Sequence, residues 1–213
     1  MSGESYFEQQ LQIASEIGDR YQETYIAINL CVSALAQEDC ETALEYAKQG
    51  LDLAGEAGDR SGKAWALTYL GHIYLEMGLH SKASEAYHES LDIRKALNQP
   101  DLTMEPLAGL AQVSLKQGKL SAAQKIVDEI LGYLDEGGTL DGAEEPMRVW
   151  LTCYRVLQAA QDLRAPSILE NSYQLLQERA QKISDESMRR KFFENIPCHA
   201  EIVKAWQDYQ SLE

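Results

Sequence analysis

The tripeptide Gly-Asp-Arg occurs at Gly18-Asp19-Arg20 and again at Gly58-Asp59-Arg60, forty residues on. The same step reaches Asn98-Gln99-Pro100 and then Gly138-Thr139-Leu140, and all four sites carry turn-forming residues. The register holds between the turns as well. Leu11, Leu51, Leu91 and Leu131 are in phase, as are Leu30, Leu70 and Leu110, and as are Ala43, Ala83 and Ala123. A fixed period of this length is the mark of a stacked repeat, in which each unit buries its apolar face only against its neighbours.

Within each period the apolar residues fall at helical spacing. The second unit predicts a helix over Arg60–Met77, a turn at Gly78-Leu79-His80 and a helix over Ser81–Leu97, with Ser81 as its N-cap. Gly78 and Gly118 fit the left-handed position that ends a helix. Only five prolines are present, and Ala, Leu, Glu and Gln recur throughout, which favours helix.

The stretch from Ala66 through Leu70-Gly71 to Tyr74, followed by Gly78, Ala83 and Tyr87, resembles the tetratricopeptide repeat signature. The first unit keeps Leu30, a small Cys31 and Ala43, and the third keeps Leu110, Ala111, Gly118 and Ala123. In the fourth, Trp150 and Leu151 take the Leu-Gly slots, Tyr154 takes the aromatic slot, and the turn lengthens through Asp162 to Pro166. The resemblance implies an all-α, right-handed superhelical solenoid of helix pairs forming one domain over 1–213. Its units are a partial repeat at 4–19, repeats at 20–59, 60–99, 100–139 and 140–184, and capping helices at 185–213. The helix at about Glu4–Ile17 reads as the second of a pair. The stretch Arg189-Arg190-Lys191-Phe192-Phe193-Glu194-Asn195-Ile196-Pro197, with Tyr154-Arg155-Val156-Leu157 before it, resembles over residues 145–206 the C-terminal repeat region of bacterial STAND-type signal-transduction ATPases and regulators, although no GxxxxGK[ST] phosphate loop occurs in the chain.

Charge narrows the partner. With 19 basic against 34 acidic residues, a net charge of −15, the chain lacks the basic surface that nucleic acid or an anionic membrane requires. Cys31, Cys40, Cys153 and Cys198 form no CxxC pair and read as free thiols of a reducing compartment. Residues 1–10 lack the pattern of a signal peptide, and no apolar run is long enough for a bilayer, so a cytoplasmic protein is expected.

Catalytic chemistry finds no foothold. His72, His80 and His88 lie on two helices and a turn with no ligand-spaced neighbour, so no metal and no cofactor are expected. The Asp135–Gly142 loop fails the calcium-loop pattern at its second and third ligand positions and reads as an inter-repeat turn. Glu144-Glu145 and Asp185-Glu186 suit helix starts. The chain is therefore expected to be a binding protein and not an enzyme.

The resemblance implies a concave face lined by the first helix of each pair. Counting from Leu70 as position seven, that face takes Trp65, Thr68, His72, Leu75 and Glu76 from the second unit. Tyr25, Ile28, Val32, Leu35 and Ala36 come from the first, and Glu105, Ala108, Gln112, Leu115 and Lys116 from the third. Glu145, Arg148, Thr152, Arg155 and Val156 come from the fourth. The partner-binding set is Tyr25, Ile28, Val32, Trp65, Thr68, His72, Gln112, Arg148 and Arg155. Ile28-Val32 and Thr68-His72 replace the Lys/Asn pattern that grips a C-terminal carboxylate in cochaperones, so another protein or peptide segment is expected. Apolar Tyr25 and Ile28 would grip its hydrophobic part, and Arg148 and Arg155 its acids; the competing expectation is that Tyr25, Ile28 and Val32 touch neighbouring helices or are covered by a preceding repeat. Two alternatives stand beside this: a scaffold that forms a homodimer through its N-terminal edge, and a receptor for a small peptide or metabolite in the groove.

Overall fold

The computed structural model describes residues 3–211, with side chains from Phe7 onward except Glu8. Eleven α-helices and no strand occur among them. They are α1 (Gly3–Ile17), α2 (Arg20–Ala36), α3 (Cys40–Ala57), α4 (Arg60–Glu76), α5 (His80–Ala96), α6 (Pro100–Lys116), α7 (Leu120–Asp135), α8 (Pro146–Ala159), α9 (Ala165–Gln181), α10 (Glu186–Glu194) and α11 (Pro197–Gln210). None of the described helices is long and apolar enough to cross a membrane.

The turns are built from the chemistry that marks them in the sequence. Gly18, Gly58, Gly78 and Gly118 all have φ between 67° and 72°, where a side chain would be strained. Asp19 and Asp59 then accept the amide hydrogens of Gln22 and Gly62, capping α2 and α4. Ser81 does not cap α5. The N-cap is Leu79, whose side chain cannot accept a bond, and Ser81 lies one residue inside the helix. Pro166 falls in the first turn of α9, where its missing N–H costs nothing.

Each helix packs on the next, and the first helices also pack on one another in the order α2, α4, α6, α8. Leu30, Leu70, Leu110, Ala43, Ala83 and Ala123 are all buried. The small alanines let paired helices approach, and large residues fill the space around them. Tyr87 shows how closely. A Cβ at either Gly71 of α4 or Gly109 of α6 would come under 3.0 Å from its ring, so the buried ring is wedged between two bare helix backbones.

The segment between α7 and α8 departs from the other turns. Residues 136–145 cross the start of α6 before α8 begins at Pro146. Leu140 is buried, and Gly142 lies against Leu102. The amides of Glu144 and Glu145 donate to the Glu105 carboxylate at 3.3 and 3.1 Å, so a side chain of α6 holds the entry to α8. The N-cap of α8, Glu145, makes no side-chain cap of its own.

Candidate functional site

Many of the sequence-predicted concave positions line two cavities, and Gln112, Leu115, Lys116 and Arg155 also line a third of about 420 Å³. The smaller, about 180 Å³, has Tyr25, Ser61, Trp65, Thr68, Arg94, Leu102, Glu105, Gly142 and Glu144 in its wall. The larger, about 420 Å³, is lined by Leu35, Glu38, Cys40, Glu76, Gln112, Arg148, Leu151, Arg155, Pro197, Cys198 and Glu201. The early positions of α2, α4 and α6 thus reach one cavity. Their later positions, joined by α8, reach the other.

In the smaller cavity Tyr25, on the exposed side of α2, lies against Trp65 with ring centroids 5.3 Å apart. Trp65 in turn meets Tyr69 edge-on at 6.3 Å. The indole Nε1 of Trp65 is buried without a hydrogen-bond partner. Arg94 reaches in from α5, donating to Ser61 Oγ at 2.8 Å and Gln99 Oε1 at 2.9 Å, and its burial lowers its pKa. The cavity therefore combines an aromatic wall, an unmatched N–H, a guanidinium and two carboxylates.

Four of the nine predicted residues are buried, Gln112 at the edge of the larger cavity and three others under the paired helix. Ile28 is fully buried, and its Cγ1 lies 2.9 Å from where a Gly50 Cβ would be, so it packs into α3. Thr68 is buried with its hydroxyl spent on Ala64 O at 3.0 Å and Ser90 Oγ at 2.8 Å, although its side chain still borders the cavity. His72 is buried between Tyr69 and Tyr87, with Nδ1 2.7 Å from the Tyr87 hydroxyl. In each case the paired helix comes close enough to cover the position. Val32 is half-buried against the core that Ile28, Ala43 and Leu70 share, and lines neither cavity.

The two arginines are also occupied. Arg148 Nε donates to Glu145 at 2.6 Å. Arg155 makes a two-pronged pair with Glu201 of α11, through Nε at 2.6 Å and through Nη2. Their charges are neutralised within the chain, contrary to the expectation that they stand ready for acids of a partner. Gln112 lines the larger cavity beside them.

Sequence reasoning missed Arg94, Glu144 and the first turn of α11. Arg94 lies on the second helix of its pair, outside the register that defines the concave face. That α11 and the α2–α3 turn share the wall of one cavity has no local signal, because it depends on the summed rotation of every intervening unit.

A third feature joins α4, α6 and the start of α8. A ring nitrogen of His72 and one carboxylate oxygen from each of Glu105 and Glu145 lie within 4.8 Å of one another. Burial, reinforced by the nearby Glu145 charge, pushes the Glu105 carboxyl up to about 7. Burial, with Arg148 adding to it, holds His72 well below the ordinary histidine range.

Comparison with known proteins agrees with this architecture. The tetratricopeptide repeat sequence model matches residues 23–96. No curated protein sequence matches the chain. Among solved structures, BtubC (BKLC) from P. vanneervenii is similar at a TM-score of 0.65 and 17% identity, covering 98% of this chain and 85% of that one. A Podosopora anserina protein with nearly identical TPR-like repeats, described as a kinesin light chain, is similar in two crystal structures. One has a TM-score of 0.57 at 16% identity, covering 84% of this chain and 87% of that one. The other has 0.55 at 14%, with coverage of 85% and 88%. At these identities the likeness is one of fold. The chain is an all-α superhelical repeat protein whose residues 23–96 match the tetratricopeptide repeat family.

Proposed function

We propose that the chain is a protein- or peptide-binding module that seats an extended segment across the two concave cavities. The observation that carries this is that first-helix positions from Tyr25 on α2 to Arg155 on α8, Ile28, Val32 and His72 excepted, form much of the walls of two cavities. Solenoids gain binding surface in this way, because each unit presents a similar helix face at a small rotation. Tyr25 and Trp65 form the anchor, since large aromatic groups carry a disproportionate share of interface energy. We read the chain as a sensor part of a larger cytoplasmic bacterial signalling protein, which the likeness of residues 145–206 to STAND-type repeat regions supports. In that reading it neither turns over substrate nor contacts nucleic acid.

The test is selection of peptides from a displayed library on the full chain, followed by affinity measurement on variants. Tyr25→Ala should weaken a selected peptide by on the order of 2 kcal/mol while leaving the melting temperature almost unchanged. Peptides that bind Tyr25→Ala and Trp65→Ala as tightly as the parent chain would end the groove reading.

A second reading has its own observation. Ile13, Ile17 and Tyr21 are all more than half exposed at the N-terminal end of the stack. Apolar side chains grouped in this way favour a contact, and a homodimer through α1 and α2 is the form it takes. Sedimentation of the parent chain against Ile17→Lys distinguishes it: a dimer that the substitution dissociates supports this reading.

A further inference from the structure

We propose that His72, Glu105 and Glu145 form a binding site for a borderline divalent metal ion of the zinc type, beside the smaller cavity that Glu105 lines. The three side chains come from α4, α6 and the N-cap of α8, which only the stacking of three successive first helices brings together. Two of the donors are carboxylates packed side by side, one of them buried and the other half-buried. Carboxylates alone would show nothing beyond an acidic cluster. The independent observation is His72 Nε2, which is buried and has no hydrogen-bond partner. A buried nitrogen left unmatched is costly unless something fills it.

The surroundings prepare that nitrogen as a ligand. Nδ1 faces the Tyr87 hydroxyl at 2.7 Å, and donation through it leaves the lone pair on Nε2. Metal-bound histidines are commonly fixed through the second ring nitrogen in this way. Glu105 is oriented by the amides of Glu144 and Glu145, and Glu145 by Arg148. Every donor therefore has an outer partner that sets its direction.

One nitrogen and two carboxylate oxygens suit zinc and its late first-row neighbours, whereas calcium and magnesium take oxygen ligands throughout. Donors around a tetrahedral zinc lie about 3.4 Å apart, so a spread of 4.8 Å closes with side-chain rotations of roughly an ångström. Three protein donors leave a position for water. Glu105 borders the smaller cavity, and Arg148, bonded to Glu145, borders the larger.

The experiment uses the full chain, stripped with chelator and titrated with zinc by calorimetry and with cobalt by visible absorption. One equivalent should bind, with a cobalt d–d spectrum of low coordination number. At about a hundredfold excess over Kd, zinc should raise the melting temperature by roughly 5–10 °C. Glu145→Gln, at a half-buried position that should still fold, should weaken binding at least tenfold, and His72→Gln should abolish the cobalt spectrum. His80→Gln should change neither. The proposal is overturned if no stoichiometric binding occurs, or if Glu145→Gln binds zinc as the parent does. A proton held between Glu105 and its neighbours would then be what satisfies the cluster.

Discussion

Placing alanine at Gly109 is the sharpest perturbation of the packing that forms the concave face. Gly109 lies inside α6 with ordinary helical backbone, so the change alone should favour the helix by up to about 1 kcal/mol. The new Cβ would, however, stand under 3.0 Å from the Tyr87 ring. The ring cannot retreat, because Gly71 of α4 bounds its opposite side equally closely and its hydroxyl is held by His72. Overpacking of this kind costs about 1–3 kcal/mol, and a ring blocked on both faces belongs at the upper end. The net expectation is a loss of about 1–2 kcal/mol, or roughly 2–8 °C in melting temperature for a chain of this length. A double-mutant cycle isolates the cause. In a Tyr87→Ala background the clash disappears, and Gly109→Ala should become neutral or stabilising by up to about 1 kcal/mol. Thermal unfolding followed by circular dichroism reads all four proteins. Should Gly109→Ala stabilise the parent chain, Tyr87 is not wedged and the reasoning fails.

Two further outcomes follow from the same core. Ala83→Leu should cost about 1–3 kcal/mol, because Ala83 is fully buried at the α4–α5 contact; an unchanged melting curve would show that the helices pair in another register. Cys31 and Cys153 are pushed up to about 12 by burial, with Glu145 adding to the effect at Cys31, so at pH 8 both should remain protonated thiols. Mass spectrometry after maleimide treatment should find them modified only as fast as the chain opens, and labelling at the rate of an exposed thiol would contradict their placement.

The fold was legible because its signals are local and repeated. Helix ends are set by Gly18, Gly58, Gly78 and Gly118, and core positions by Leu30, Leu70 and Leu110, each within reach of its own unit. The site was legible only as a set of positions. Counting along the helices found Tyr25, Trp65, Gln112, Arg148 and Arg155 at the cavities. It could not tell that Ile28 turns into Gly50 or that Thr68 bonds Ser90, since both depend on how closely the second helix approaches. Nor could it see that Glu201 would reach Arg155, forty-six residues away. The His72 cluster lay outside sequence reasoning for the same reason: its three members belong to three units and share no motif.

The central claim is that a bound segment lies on the concave side, along the register that begins at Tyr25. Photo-crosslinking tests it most directly. A photoreactive amino acid is introduced in place of Tyr25, at the smaller cavity, or in place of Glu129, which is exposed on α7 and lines neither cavity. Irradiation with a library-selected peptide should yield covalent adduct from position 25, competed away by unlabelled peptide, and background levels from position 129. Adduct from position 129 with none from position 25 would place the segment on the outer surface and contradict the account.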